Sequence, residues 1–384
     1  MFVNYEISKL IIPYPTLQNI ALLCIILLFA ALFGIRTLNT VFLSKEQTDQ
    51  LKGIAILLVV SGHLWYHVSL IKAVPILGDY AVTLFLVLSG YGLSIAYSKK
   101  RFAVKDFLLK RILRVMVPYW FITLVILVLD AQLLSRTYPA GQVLRTFLGI
   151  NIENTLSHLD YTRWYITLLL AYYGAFTIVY RYVNEKRAMG CLMGFGLILT
   201  LLHIVRVFPL GTIDQILAFP LGCLLARNYD FVNRIIVDRH KRIKLLVSVI
   251  VIAAATSLSF LFRETLFLER TALSFFHSVN GFMFCSLLIL FVQSTADKGY
   301  MSNFFAIFGL LSYEIYLIHG PLLIKYNPIF RLLSASSIIV SFAVFLALTL
   351  LLSLVLKRTT TWISVWVSTL LHRVSLYRGR PNQE

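Results

Sequence analysis

Apolar runs long enough to cross a bilayer recur along this chain from Leu17 to Leu356, and no polar block between them is large enough for a soluble domain. A crossing helix needs about 20 mostly apolar residues, because backbone groups cannot be left unpaired in hydrocarbon. That ruler gives eleven candidate spans: Leu17–Gly34, Gly53–Ile71, Tyr80–Tyr97, Val115–Leu134, Trp164–Val183, Met189–Val207, Thr212–Leu225, Leu245–Phe262, Ala272–Val292, Phe304–Ile324 and Leu332–Leu356. The seventh is the weakest, being short and carrying Asp214 and Pro220. Residue usage agrees, with 59% hydrophobic and 14% charged residues among 384, against about 45–50% and 25% in soluble domains. The expected fold is an all-α polytopic membrane protein of about eleven transmembrane helices. The leading segment lacks a basic region and no small-residue cleavage site follows the first run, so that run reads as a span and not as a cleaved signal.

The formal charge of +18 would suggest a nucleic-acid surface in a soluble protein. Sorted by loop it has another origin. With the N-terminus outside and the C-terminus inside, 25 of the 35 lysines and arginines fall on the inner side, as the positive-inside rule requires. No nucleic-acid partner is expected, and the pattern puts the N-terminus outside and the C-terminus in the cytoplasm. Cys24, Cys191, Cys223 and Cys285 all lie in apolar runs and read as packing residues, with neither a disulfide framework nor a metal site. Three segments follow: an extra N-terminal span and linker (1–44), a membrane core (45–356) and a basic tail (357–384). Trp362 and Trp366 in the tail share a helical face, which suits the inner leaflet. The longest outer loop, 135–163, is the only extramembrane piece long enough to help seat an acceptor.

Ionisable residues inside spans are costly in lipid and are functional candidates by default. His63 lies eleven positions after Lys52, about 16 Å from the inner face and close to the midplane. Histidine exchanges a proton near neutral pH, which suits a general base. A satisfied interior histidine would have the same position. His67 shares its face, but no carboxylate or cysteine in the motif completes a metal site. Arg111 and Arg114, three apart beside Lys110 on the inner side, can converge on one anion, and their forks match phosphate oxygens. Topological decoration would also put arginines there. In the tenth span Glu314 and His319 stand among Ser312, Tyr313 and Tyr316, and Tyr316 and His319 share a face. Ser89, Gly90 and Gly92 allow a close helix approach in the third span. Asp130 and Asp214 fall near outer span ends, where a carboxylate can reach water, and Trp164 and Tyr165 open the fifth span as an aromatic belt residue pair would.

Taken in order, these elements resemble the membrane-bound acyltransferase-three family of sugar and glycan acyltransferases. They are KGIAILLVVSGH from Lys52 to His63, FLVLSGY from Phe85 to Tyr91, RILRVMVPY from Arg111 to Tyr119, WYI at Trp164 and SYEIYLIH from Ser312 to His319. The resemblance implies a ten-helix core, preceded here by the extra span Leu17–Gly34. It also implies transfer of an acyl group, usually acetyl from cytoplasmic acetyl-CoA and without a metal, to a hydroxyl of a cell-surface or lipid-linked glycan on the outer side, such as an O-antigen or exopolysaccharide. By position, His63 looks like the essential histidine, with Tyr316, His319 and Glu314 as further catalytic candidates. Arg111 and Arg114 look like the pair serving the CoA end. Lys52 stands where the family usually has arginine, which keeps the charge but loses the fork. The competing class is a transporter, flippase or polymerase of glycan precursors. The repeated halves and broken helices expected of a transporter are not read in the sequence, and the arginines expected in a polymerase's outer loops lie inside instead.

Overall fold

The computed structural model describes residues 14–37, 41–68, 75–101, 103–152, 159–205, 207, 211–237, 241–261, 269–329 and 338–378. Its helices are α1 (Pro15–Leu32), α2 (Lys45–Val68), α3 (Pro75–Lys99), α4 (Val104–Arg111), α5 (Val117–Leu134), α6 (Ala140–Phe147), α7 (Trp164–Tyr182), α8 (Glu185–Ile204), α9 (Ile213–Arg227), α10 (Tyr229–Val237), α11 (Lys241–Leu261), α12 (Glu269–Asp297), α13 (Asn303–Leu310), α14 (Ser312–Gly320) and α15 (Ile338–Arg378). Two three-residue strands, β1 (Gly34–Arg36) and β2 (Tyr300–Ser302), pair antiparallel with Gly34 opposite Ser302. They tie the end of α1 to the start of α13.

The described part of each expected span is helical, but the count of eleven crossings is not confirmed. Among the described residues, five helical stretches are long and apolar enough to cross: Leu77–Lys99, Asp106–Leu134, Lys186–Ile204, Phe275–Asp297 and Ile338–Leu370. The bent pair α13 and α14 makes a sixth if taken as one span. Of the others, α7 and α9 fall short by themselves, while the stretches of α1, α2 and α11 that can be judged are cut short by residues outside the described ones. α9 has 15 residues and α7 is rich in tyrosine; within α1 and α11 the described apolar stretches are Ile20–Leu32 and Leu246–Ala255. The surface is that of a membrane body, with side chains such as Val128, Leu201 and Leu351 exposed and apolar. α15, 41 residues long, runs unbroken through Leu356 to Arg378, with Trp362 and Trp366 exposed on it.

Two close crossings position the core. A Cβ on Gly53 would lie 1.8 Å from the Phe305 carbonyl, and one on Gly309 1.7 Å from that of Asp49, so α2 and α13 meet backbone to backbone. Gly90 and Gly222 do the same for α3 and α9, with 2.1 Å to the Phe219 carbonyl and 2.0 Å to that of Val87. The small-residue reading of the third span thus holds at Gly90, whereas Gly92 faces open space. α13 and α14 then bend by 68° at Leu311. Tyr316 on α14 packs against both apolar clusters of the core, one built on α2, α3 and α13 and the other on α5, α7 and α9.

Two prolines shape the chain near the candidate residues. Each lacks the N–H that would continue an α-helix, and its ring crowds the carbonyl four residues earlier. The chain widens into π-helical turns, Ile112–Met116 before Pro118 and Pro321–Tyr326 starting at Pro321. π turns recur at functional sites, and here they directly follow Arg111 and the His319–Gly320 pair.

Candidate active site

The bend at Leu311 turns α14 so that His319 meets His63 of α2. His63 Nδ1 lies 2.9 Å from His319 Nε2, with the rings 5.0 Å apart and near-parallel at 23°. His319 is fully buried, and His63 is partly exposed. The far nitrogen of His319 fixes the proton positions: its Nδ1 lies 2.8 Å from the Tyr316 carbonyl and 3.2 Å from that of Ile315. A carbonyl only accepts, so Nδ1 carries the hydrogen. In a neutral ring Nε2 is then the acceptor, His63 Nδ1 donates to it, and the basic lone pair of His63 sits on Nε2. The side chain of His67 lies outside the described residues.

Behind this pair stands a polar layer that sequence reasoning missed. The Tyr316 hydroxyl donates to the Thr162 carbonyl at 2.7 Å, which commits its one proton and makes Tyr316 a brace for the 160–163 turn. In that turn Asp160 accepts from the Thr162 backbone and hydroxyl at 3.0 and 2.7 Å and pairs with Arg163 Nε at 3.2 Å. Arg163 is 1% exposed, donates to Thr123 Oγ1 at 2.5 Å and lies over the Tyr119 ring at 4.9 Å. The Asp160 charge acts on both His319 and Tyr316. A cue was present in the acid and base three apart in DYTR, directly before Trp164. A positive-inside count registers Arg163 only as an outer charge. Tyr165, expected as a belt residue, packs inward against Tyr316 at 5.3 Å.

The outer carboxylates also require correction. Asp130 and Asp214 do not reach water; both are 0% exposed. Asp214 accepts from Thr83 and Thr212 hydroxyls, each at 2.6 Å. Asp130 pairs with Lys325 and accepts from Tyr138 and Tyr326 at 2.6 and 2.8 Å. Lys325 also donates to the Leu159 carbonyl at 3.0 Å, so this buried pair anchors both ends of the outer loop to α5 and to the turn after His319. Removing one partner of a buried pair leaves an uncompensated charge. Lys325→Met is expected to cost about 3 kcal/mol and to lower the unfolding temperature of the purified protein. Adding Asp130→Asn should recover much of that loss, and an unchanged midpoint in the single variant would refute the anchoring role.

The arginines gather at the opposite end. The Arg111 guanidinium lies 5.3 Å from the rings of both Phe107 and Tyr173, and its Nε is buried without a partner. Arg114 is exposed beside it, and both charges act on the Tyr173 hydroxyl. An orphaned guanidinium N–H on a short cationic patch is what an anion site needs. Lys52 is not brought into this group: it pairs with Asp49 at 3.2 Å. Glu314 is buried and faces Lys357 and Arg114, making no contact with either imidazole. The Tyr313 hydroxyl donates to the Val115 carbonyl at 2.7 Å, which fastens α14 to the π turn after Arg111. Tyr173, Tyr165, Tyr313 and Tyr316 thus form an aromatic row from the arginines to the histidine pair, with the Ser89 hydroxyl against Tyr165 and Tyr173.

The family model for the acyltransferase domain matches residues 46–358, a stretch that holds His63, Arg111, Arg114, Asp160, Arg163 and His319. No significant match was found to a curated protein or to a solved structure.

Proposed function

The chain belongs to the acyltransferase 3 family and is a membrane acyltransferase; we propose that it moves an acyl group, acetyl by preference, from cytoplasmic acyl-CoA to a hydroxyl of a cell-surface or lipid-linked glycan on the outer side of the bacterial inner membrane. The observation that carries this reading is the hydrogen bond between His63 and His319, a polar pair in an apolar body, joined by tyrosines to a cationic patch at the other end.

In this mechanism the phosphates of CoA lie on Arg111 and Arg114, and the pantetheine arm runs along the aromatic row. The acceptor hydroxyl approaches His63 Nε2. As its oxygen attacks the thioester carbonyl carbon, Nε2 takes its proton. The new C–O bond forms, the C–S bond breaks, and the leaving thiolate recovers the proton from His63 as free CoA thiol. His319 and Tyr316 act through others: His319 holds His63 in the tautomer with a basic Nε2, and Tyr316 holds the Asp160 turn against His319. Glu314 belongs to the donor end, where it balances Arg114 and Lys357. With Asp49 paired to it, Lys52 contributes charge near the donor entrance and no direct phosphate fork.

The test is labelled acetyl-CoA supplied to purified protein with glycan acceptor, reading acyl transfer and CoA release together. Arg111→Ala should raise KM for acyl-CoA about tenfold, more than it lowers kcat, and Arg111→Lys should restore only part, because the fork is lost. Sugar movement across vesicles without CoA release would favour a transporter instead. An unchanged KM in Arg111→Ala would remove Arg111 from the donor site.

A further inference from the structure

A cavity of about 260 Å³ lies among the ends of α3, α7 and α9 and the start of α8, lined by Ser94, Tyr97, Ser98, Tyr180, Lys186 and Arg227 among others. The Tyr97 and Tyr180 rings meet edge to face at 4.7 Å, and the Arg227 charge acts on the Tyr180 hydroxyl. No carboxylate is among its lining residues, and among the described residues neither Lys186 nor Arg227 has an ion-pair partner. Two cations in a lining without a carboxylate, beside an aromatic pair, suit a phosphate carried next to a flat ring. The volume is below the usual 300–1,000 Å³ or so of a whole-ligand pocket, so the cavity fits one end of a longer molecule.

The cavity shares an aromatic wall with the arginine patch. Arg111 sits over Phe107, Phe107 packs on Phe176 at 6.1 Å, and Phe176 stacks on Tyr180 at 4.3 Å. Two cationic sites at the same end of the bundle therefore face a ligand with two separated phosphate groups. Resting on the donor proposed above, we propose that this cavity seats the 3′-phosphorylated adenosine end of CoA, the ring against Tyr97 and Tyr180 and the 3′-phosphate on Lys186 and Arg227. The 5′-diphosphate then reaches Arg111 and Arg114, and the pantetheine arm enters the tyrosine row.

The test compares CoA with dephospho-CoA, which lacks only the 3′-phosphate, in equilibrium binding to the full chain in neutral-lipid nanodiscs. The wild type is expected to prefer CoA about tenfold, since charge-assisted hydrogen bonds supply that much. Lys186→Ala with Arg227→Ala should bring the two affinities within about twofold of each other, and Arg227→Lys should keep most of the preference. Both ligands are measured on the same preparation, so an unfolded fraction scales both and leaves the ratio intact. A wild type without preference, or a double variant that keeps it, overturns this inference alone. So does competition by anionic lipid in the discs that the double variant abolishes, which would assign the cavity to a lipid headgroup. Failure of CoA to bind at all overturns the proposed donor and this inference with it.

Discussion

His63→Ala is expected to lower acyl transfer by about 10³-fold or more while leaving KM for acyl-CoA close to that of the unaltered protein. The asymmetry follows from the layout. His63 sits on α2 against His319, whereas the cationic patch sits at the far end of the tyrosine row, around Arg111 and Tyr173. Losing the imidazole removes the proton acceptor for the attacking hydroxyl without touching the residues that hold phosphate. Since α2 is fixed by its backbone contact with α13 through Gly53 and Gly309, and not by the histidine, the variant should purify with an unchanged unfolding midpoint. Transfer at a near wild-type rate from that protein would sink the general-base assignment and leave His63 a satisfied interior residue.

The importance of His63 was legible in the sequence because an ionisable group in an apolar span stands out against its surroundings. Its partner was legible as a candidate but not as a partner. His63 and His319 are 256 residues apart, and their positions in two different spans put both in the membrane interior without saying which helices touch. That adjacency depends on the bend at Leu311, where no proline or glycine stands at the break itself, although Gly309 two residues earlier makes the close crossing with α2. The arginine pair was likewise visible as charge, while Phe107 and Tyr173, which hold Arg111, come from the apolar background. The outer carboxylate Asp130 was misread for a physical reason: a charge near a span end reads as meeting water. Lys325 and Arg163 instead fold inward onto Asp130 and Asp160, and no one-dimensional count distinguishes those outcomes.

The tautomer argument makes a second large effect measurable. If His319 serves only to accept the His63 Nδ1 hydrogen, then His319→Ala leaves His63 free to place its proton on Nε2, the nitrogen that must be basic. The expected loss is about 10²-fold in kcat, with KM for acyl-CoA little changed. His319→Gln, whose amide oxygen can accept the same hydrogen, should recover about tenfold of that loss. A merely structural role for this fully buried side chain would track size and stability, and would not distinguish an acceptor from an apolar replacement of equal volume such as His319→Leu. The decisive quantity is the interaction between the two positions. Residues that act as a unit are non-additive, so the double variant His63→Ala with His319→Ala should be no slower than His63→Ala alone. Losses that multiply would mean that His319 contributes to the transition state by itself, and the assignment of a positioning role would fall.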